Sequence, residues 1–369
     1  MILDQKDGEC LKLIGLCRYL PVGLNKKHSN EAVYKDTITN LQERGLIKLT
    51  SDNRCYKLTS LGKNTLQKMG YTFKEDARWV LGDKRYIRRQ ICAEVNVMFH
   101  SAGINVFAEK TEELDKKNIG YIPLLNVRSK EAGASLSCAH MSGILKSGDT
   151  AYAVYYISDE TDGVHVSFEE SITKQLLSGM NGVKYTKIIF AGKSLEKLWK
   201  LVFETNAPKR LGNQMTPFAL AFDKFTYNIF FFAHSRYGAL QAQIITTPNY
   251  RKQLADYFCK GKTEIPVSLS YCDGFYHDDP FIVAADMDLK RLRAALTQAE
   301  QYGNQVPAIL CLDFQENVLK QFLECYKVRS AQIFALPFSE MTKGLPDISK
   351  TGLTNEPVRD KEGGCIRIK

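Results

Sequence analysis

The chain has 369 residues, 44% of them hydrophobic and 25% charged, which supports two or three ordinary cores and excludes a disordered polymer. Its formal net charge is +9, and the excess is concentrated at the start. The first 90 residues carry 18 Lys and Arg against 10 Asp and Glu, while the remainder, with 32 against 31, is nearly neutral. Positive charge confined to one small region suits a phosphate-binding module, because Lys and Arg release condensed counterions when they neutralise phosphates. The opening residues Asp4, Lys6 and Asp7 put charges where a secretory signal is apolar, and the densest apolar run, residues 227–233, is far below the ~20 residues of a membrane span. A cytoplasmic protein without membrane contact is expected. The ten cysteines are scattered singly with no Cys-x-x-Cys pair, so reduced, mostly buried thiols are expected rather than a disulfide framework.

Residues 9–20 carry Leu11, Leu13, Ile14, Leu16, Cys17 and Leu20 at helical spacing and end at Pro21 and Gly23, which predicts a first helix. A second helix starts near Ser29 or Asn30, runs through Tyr34, Ile38 and Leu41 and stops at Gly45. Its polar face presents Lys35, Thr39 and Gln42. Two short strands, residues 46–50 and 55–59, flank Ser51, Asp52, Asn53 and Arg54, a turn-forming string, and so predict a hairpin. A third helix opens near Ser60 and ends at Met69 and Gly70.

Residues 41–49 (Leu-Gln-Glu-Arg-Gly-Leu-Ile-Lys-Leu), the hairpin and residues 56–62 (Tyr-Lys-Leu-Thr-Ser-Leu-Gly) resemble the winged-helix domains of bacterial regulators and mobile elements. The resemblance implies that the helix before the hairpin enters the ~12 Å major groove and that the hairpin tip touches backbone. The DNA-contacting residues it implies are Lys26, Lys27 and Ser29 at the helix entrance, Asn30, Lys35, Thr39 and Gln42 on the helix, and Arg54 and Lys57 on the hairpin. The segment between Gly23 and His28 is short for the middle helix usual in such domains.

Residues 84–102 predict a helix with a basic start, Lys84, Arg85, Arg88 and Arg89, and these arginines extend the expected DNA-binding set. Strands at residues 104–108, 121–127, 140–146 and 151–157, a helix at 167–178, a strand at 185–191 and a helix at 194–205 predict an α/β layout without a dinucleotide-binding Gly-rich loop. Taken with the winged helix, residues 140–145 (His-Met-Ser-Gly-Ile-Leu) and 151–156 (Ala-Tyr-Ala-Val-Tyr-Tyr) look like the replication-relaxation proteins of plasmids and conjugative elements. In that family the second domain resembles a restriction-endonuclease core, whose paired acids hold a divalent cation that activates water. Here the corresponding positions read Met141-Ser142-Gly143 and Val154-Tyr155-Tyr156, so the resemblance implies a degenerate nuclease-like domain with no catalytic residue, metal or cofactor.

After a Pro-containing stretch at 205–213, a β-α-β-α-β alternation predicts a second α/β domain with a parallel sheet. Its expected strands are residues 228–233, 266–271, 281–285, 308–312 and 332–336, and its helices 238–243, 250–258, 289–302 and 317–326. His277, Asp278 and Asp279, and Asp286 with Asp288 and Asp313, allow a metal reading, but Asp288 and Asp313 also sit where helix caps belong. The expected domains are therefore a winged helix at 1–75, a basic linking helix at 76–103, a degenerate nuclease-like α/β domain at 104–206, a second α/β domain at 214–340 and a flexible tail at 341–369. The expected function is a non-catalytic accessory protein for replication or conjugative transfer of a mobile element. It would bind a specific double-stranded DNA site, self-associate, and recruit a relaxase or replication protein at an origin. The alternatives are a metal-dependent DNA nuclease and a winged-helix transcriptional regulator with a ligand-sensing α/β domain.

Overall fold

The computed structural model describes residues 3–24, 31–73, 84–115, 118–127, 140–158, 163–177, 180–204, 216–217, 222–303, 305–328, 330–348, 359 and 365–366. The chain is mixed α/β and forms two compact units, Met1–Phe107 with Lys350–Lys369, and Ala108–Ser349. No helix among the described residues is long and apolar enough to cross a membrane. The nine described cysteines are free thiols, and burial pushes Cys10, Cys17, Cys272 and Cys311 up to about 12, which keeps them protonated and unreactive.

In the first unit, α1 (Gln5–Cys17) starts because the Asp4 side chain accepts the Asp7 amide at 2.8 Å, satisfying one orphan donor. Its Leu11, Leu13, Ile14 and Leu16 are buried. β1 (Leu20–Pro21), α2 (Glu31–Glu43), β2 (Ile47–Leu49), β3 (Cys55–Leu58) and α3 (Ser60–Lys68) follow. The strands make a three-stranded antiparallel sheet in the order β1-β3-β2. Gly45 ends α2 with φ +66°, the left-handed position glycine tolerates without a Cβ clash. Asn53 takes φ 57° at the β2–β3 turn, and the Thr50 amide bonds the Cys55 carbonyl at 2.8 Å. Arg44 reaches back from α2 to Asp7 of α1 at 2.7 Å. The helix α4 (Lys84–Ser101) also belongs to this unit and buries Ile91, Val95, Met98 and Phe99.

In the second unit, β4 (Ile119–Pro123), β5 (Met141–Ser147) and β6 (Thr150–Tyr156) form an antiparallel meander. The helix α5 (Val166–Leu177) crosses over to β7 (Tyr185–Gly192), which is parallel to β6. Next comes β8 (Ile229–Ala233), parallel to β7, so Phe230, Phe231 and Phe232 form a fully buried strand of the kind both faces of a covered parallel sheet require. A second sheet contains β9 (Gly274–Tyr276), β10 (Asp279–Val283), β11 (Ala308–Leu312) and β12 (Gln332–Leu336), the last three parallel. Helices α6 (Arg236–Thr246), α7 (Tyr250–Phe258), α8 (Leu289–Tyr302) and α9 (Glu316–Cys325) connect these strands.

Four expectations are corrected. The chain does not break into separate α/β domains at 206 and 214: β8 pairs with β7, and one apolar core runs from Ala108 to Phe322. Residues 104–108 are not a strand, although Ile104, Val106 and Ala108 are buried. The stretch 266–271 is a 3-10 turn at Val267–Leu269 with Val267 exposed. Part of the expected tail is packed, since Met341, Leu345 and Ile366 are buried.

Candidate nucleic-acid interface

The first unit gathers cations on the hairpin and around it. The register sets Lys48 directly opposite Lys57, and like charges at that spacing destabilise a sheet by up to ~1 kcal/mol. No carboxylate pairs with either lysine among the described residues. Between the hairpin, the end of α1 and α3 lies a cleft of 580 Å³ whose lining includes Arg18, Lys48, Lys57 and Lys63. The exposed Ser60 and Asn64 line it from the first turn of α3. That turn is held against the hairpin by Thr59, whose side chain caps the Gly62 amide at 3.1 Å and donates to the Gly45 carbonyl at 2.6 Å. Arg18 itself caps α1 with φ 62°, a conformation that costs a non-glycine residue roughly 1–3 kcal/mol. The cleft thus collects positive charge at the expense of stability. Lys57→Thr is therefore expected to raise the thermal midpoint by about 2 °C at low salt, since ~1 kcal/mol shifts a small domain by several degrees; calorimetry at two salt concentrations would check this, and an unchanged midpoint would mean the lysines do not repel.

Of the residues expected to meet DNA, Lys35 and Thr39 are exposed and Gln42 half-buried on α2. Thr39 donates its hydroxyl to the Lys35 carbonyl at 3.0 Å. Arg54 is exposed at the hairpin tip but pairs with Asp52 at 2.6 Å. Burial disfavours the Asp52 charge, yet hydrogen bonds from Thr50 and Arg54 prevail and hold it at about 2, so the tip carries a matched ion pair. Arg89 lies 5.9 Å from the Tyr19 ring centroid, a cation–π distance, and Arg88 is half-buried beside it in sequence. Lys26, Lys27, Ser29, Asn30 and the Arg85 side chain lie outside the described residues. Among the described residues, Lys57 is the one expected residue that the cleft takes in; Arg18, Lys48 and Lys63 were missed. Pairing residues 46–50 with 55–59 across a four-residue turn would have placed Lys48 opposite Lys57, whereas Arg18 and Lys63 come from other elements and leave no local signal.

Two buried polar clusters occupy the second unit. Asp286, fully buried, accepts from Tyr250 at 2.6 Å and from Arg251 Nε at 2.7 Å, and its other oxygen takes the Asp288 amide at 3.0 Å. Asp288 caps α8 through the Arg291 amide at 3.1 Å and receives Asn228 at 2.8 Å. Burial works against the Asp286 charge, but Arg251 and Arg291 keep it at about 2. Burial and the Asp286 charge push Asp288 up. Burial, then the nearby Arg251 charge, push the Lys187 amine down, and that amine lies 5.2 Å from the Phe230 ring centroid. A guanidinium thus stands where the metal reading wanted a cation, Asp313 bonds its neighbour's Phe314 amide at 2.7 Å, and no group of His, Cys, Asp and Glu fit for a metal occurs among the described residues. In the other cluster, the His140 ring Nδ1 lies 3.2 Å and its amide 3.0 Å from the same buried Glu169 oxygen. Tyr155 donates to the Glu169 carbonyl at 3.0 Å. Such a dyad can orient an imidazole, but the described residues offer it no nucleophile.

Compared with known proteins, the chain matches no family model, no curated protein and no solved structure.

Proposed function

We propose that the first unit binds double-stranded DNA and that the protein is an accessory factor for replication or transfer of a mobile element, positioning a relaxase or replication nuclease. One observation carries the reading: the net charge of the chain is concentrated in its first 90 residues, and there the lysines Lys48 and Lys57 face one another without a carboxylate partner. The order α1, β1, α2, hairpin, with β1 added to the outer edge of β3, supports a winged helix with α2 as the reading helix. The meander β4-β5-β6, the crossover α5 and parallel β7 support a nuclease-like core. Ser142 and Tyr155 stand on its strands where a metal-dependent nuclease would need carboxylates, which favours a non-catalytic platform. Self-association of that platform would multiply a modest single-site affinity through effective concentration.

The test is anisotropy of labelled duplexes tiling the neighbouring DNA, with and without Mg²⁺, over a range of salt. The triple variant Lys26→Ala, Lys27→Ala, Lys35→Ala is expected to weaken binding and to flatten the salt slope by about 1 per lost phosphate contact. An unchanged slope removes these lysines from the interface, and Mg²⁺-dependent cutting overturns the non-catalytic part.

A further inference from the structure

We infer that the cleft between the hairpin and α3 is a second nucleic-acid site, one that takes a nucleotide of single-stranded DNA rather than duplex. The inference rests on the DNA-binding reading of this unit, shares Lys48 and Lys57 with it, and adds Arg18, Lys63, Tyr71 and Phe73. The cleft volume of 580 Å³ is in the range of sites that enclose small ligands, and a duplex is too wide to enter it. Four cations from three elements converge there: Arg18 from the end of α1, Lys48 and Lys57 from the hairpin, and Lys63 from α3. Three of them accept costs that an anion would offset. Lys48 and Lys57 repel across the strands, and Arg18 holds a backbone conformation better suited to glycine.

Three aromatic side chains, Tyr19, Tyr71 and Phe73, also line the cleft. Tyr71 and Phe73 stack nearly parallel, with an interplanar angle of 8° and centroids 6.2 Å apart, and both line the cleft. Both remain partly exposed. Phe73 is fixed from behind by α1, since a Cβ on Gly15 would collide with its ring. Cations for the backbone and ring faces for bases are the combination by which single strands are held without base-edge readout. A ring in a cleft wall is reachable only by a base that has left its stack, which excludes a paired one. An origin that is melted before it is cut or copied supplies such a strand beside a duplex.

The experiment uses the full chain and three probes: a fluorescent 12-residue oligothymidylate, the duplex bound in the previous test, and inorganic phosphate as competitor. The oligothymidylate is expected to bind with a salt slope set by two to four phosphate contacts, on the order of −1.4 to −2.8 at ~0.7 per contact. Tyr71→Leu is expected to lose about tenfold or more in single-strand affinity, Tyr71→Phe to retain it, and Lys57→Gln with Lys63→Gln to lose it while leaving α2 untouched. Failure of the oligothymidylate to bind, or equal binding by the leucine and double-glutamine variants, overturns the inference. Circular dichroism shows whether Tyr71→Leu folds, and the double lysine variant, at half-buried positions, decides the case if it does not. Binding of duplex without single strand sinks this site alone; single strand without duplex keeps it and sinks the duplex reading; millimolar phosphate displacing the strand completely from wild type reduces it to a general anion site and overturns the base-stacking claim.

Discussion

Arg251→Ala is expected to destabilise the second unit by about 3–5 kcal/mol, because it leaves Asp286 charged, fully buried and without its guanidinium. Denaturant unfolding monitored by fluorescence would measure it. The double variant Arg251→Met, Asp286→Asn should recover more than half of the loss, since an amide keeps an oxygen for the Asp288 amide and no longer needs a counter-charge. A loss below ~1 kcal/mol for the single variant would mean that the pair is solvated rather than buried. The network also sets an acid limit. Asp286 titrates at about 2 in the folded unit, below its ordinary range, so its contribution is fully present above pH ~4 and is lost as the pH falls from about 4 to about 2. Asp288 moves the opposite way, raised by burial and by Asp286, so its folded form takes up a proton first and its contribution falls as the pH rises past its ordinary value. Acid unfolding below pH ~4 is thus expected to shift to higher pH in Arg251→Lys, whose single-point charge cannot replace the paired Nε and Nη2 contacts.

Gly62→Ala is expected to destabilise the first unit by about 3 kcal/mol, since its Cβ would collide with the Leu46 carbonyl oxygen, which is backbone and cannot swing aside. Because Gly62 seats the first turn of α3 on the hairpin, the variant is expected to weaken single-strand binding as well. Ser60→Ala, two residues earlier and exposed, should leave stability within ~0.5 kcal/mol. Thermal melts of both variants check the pair; a Gly62→Ala protein as stable as wild type would show that α3 and the hairpin are not in contact.

Much of the fold was legible where local chemistry decides it. Helix α8 is bounded by the Asp288 cap and by Gly303, and strands β11 and β12 are short apolar runs between polar turns, so their expected and observed limits coincide. Partnership is another matter. Residues 205–213 contain the Pro and Gly of a linker, but whether Ile229–Ala233 begins a new sheet or joins β7 depends on a strand pairing that no local pattern encodes. Residues 104–108 have apolar side chains of strand type yet find no partner strand and fold as buried irregular chain. Within the candidate site, the excess charge falls in the first unit, and Lys57 lies on the hairpin that lines the cleft. The cleft itself depends on the packing of α1, the hairpin and α3, and Tyr71 and Phe73 follow the end of α3 with no local pattern to mark them.

The first unit is assembled from both ends of the sequence: the Leu3 amide donates to the Ile366 carbonyl at 3.1 Å, with Leu3 and Ile366 both buried. During synthesis the whole of residues 108–349 leaves the ribosome before Ile366 does. The first unit must therefore wait, one segment short, while the second is made. A chain ending between residues 350 and 365 would carry every residue of the second unit and would leave the Leu3 amide without the Ile366 carbonyl.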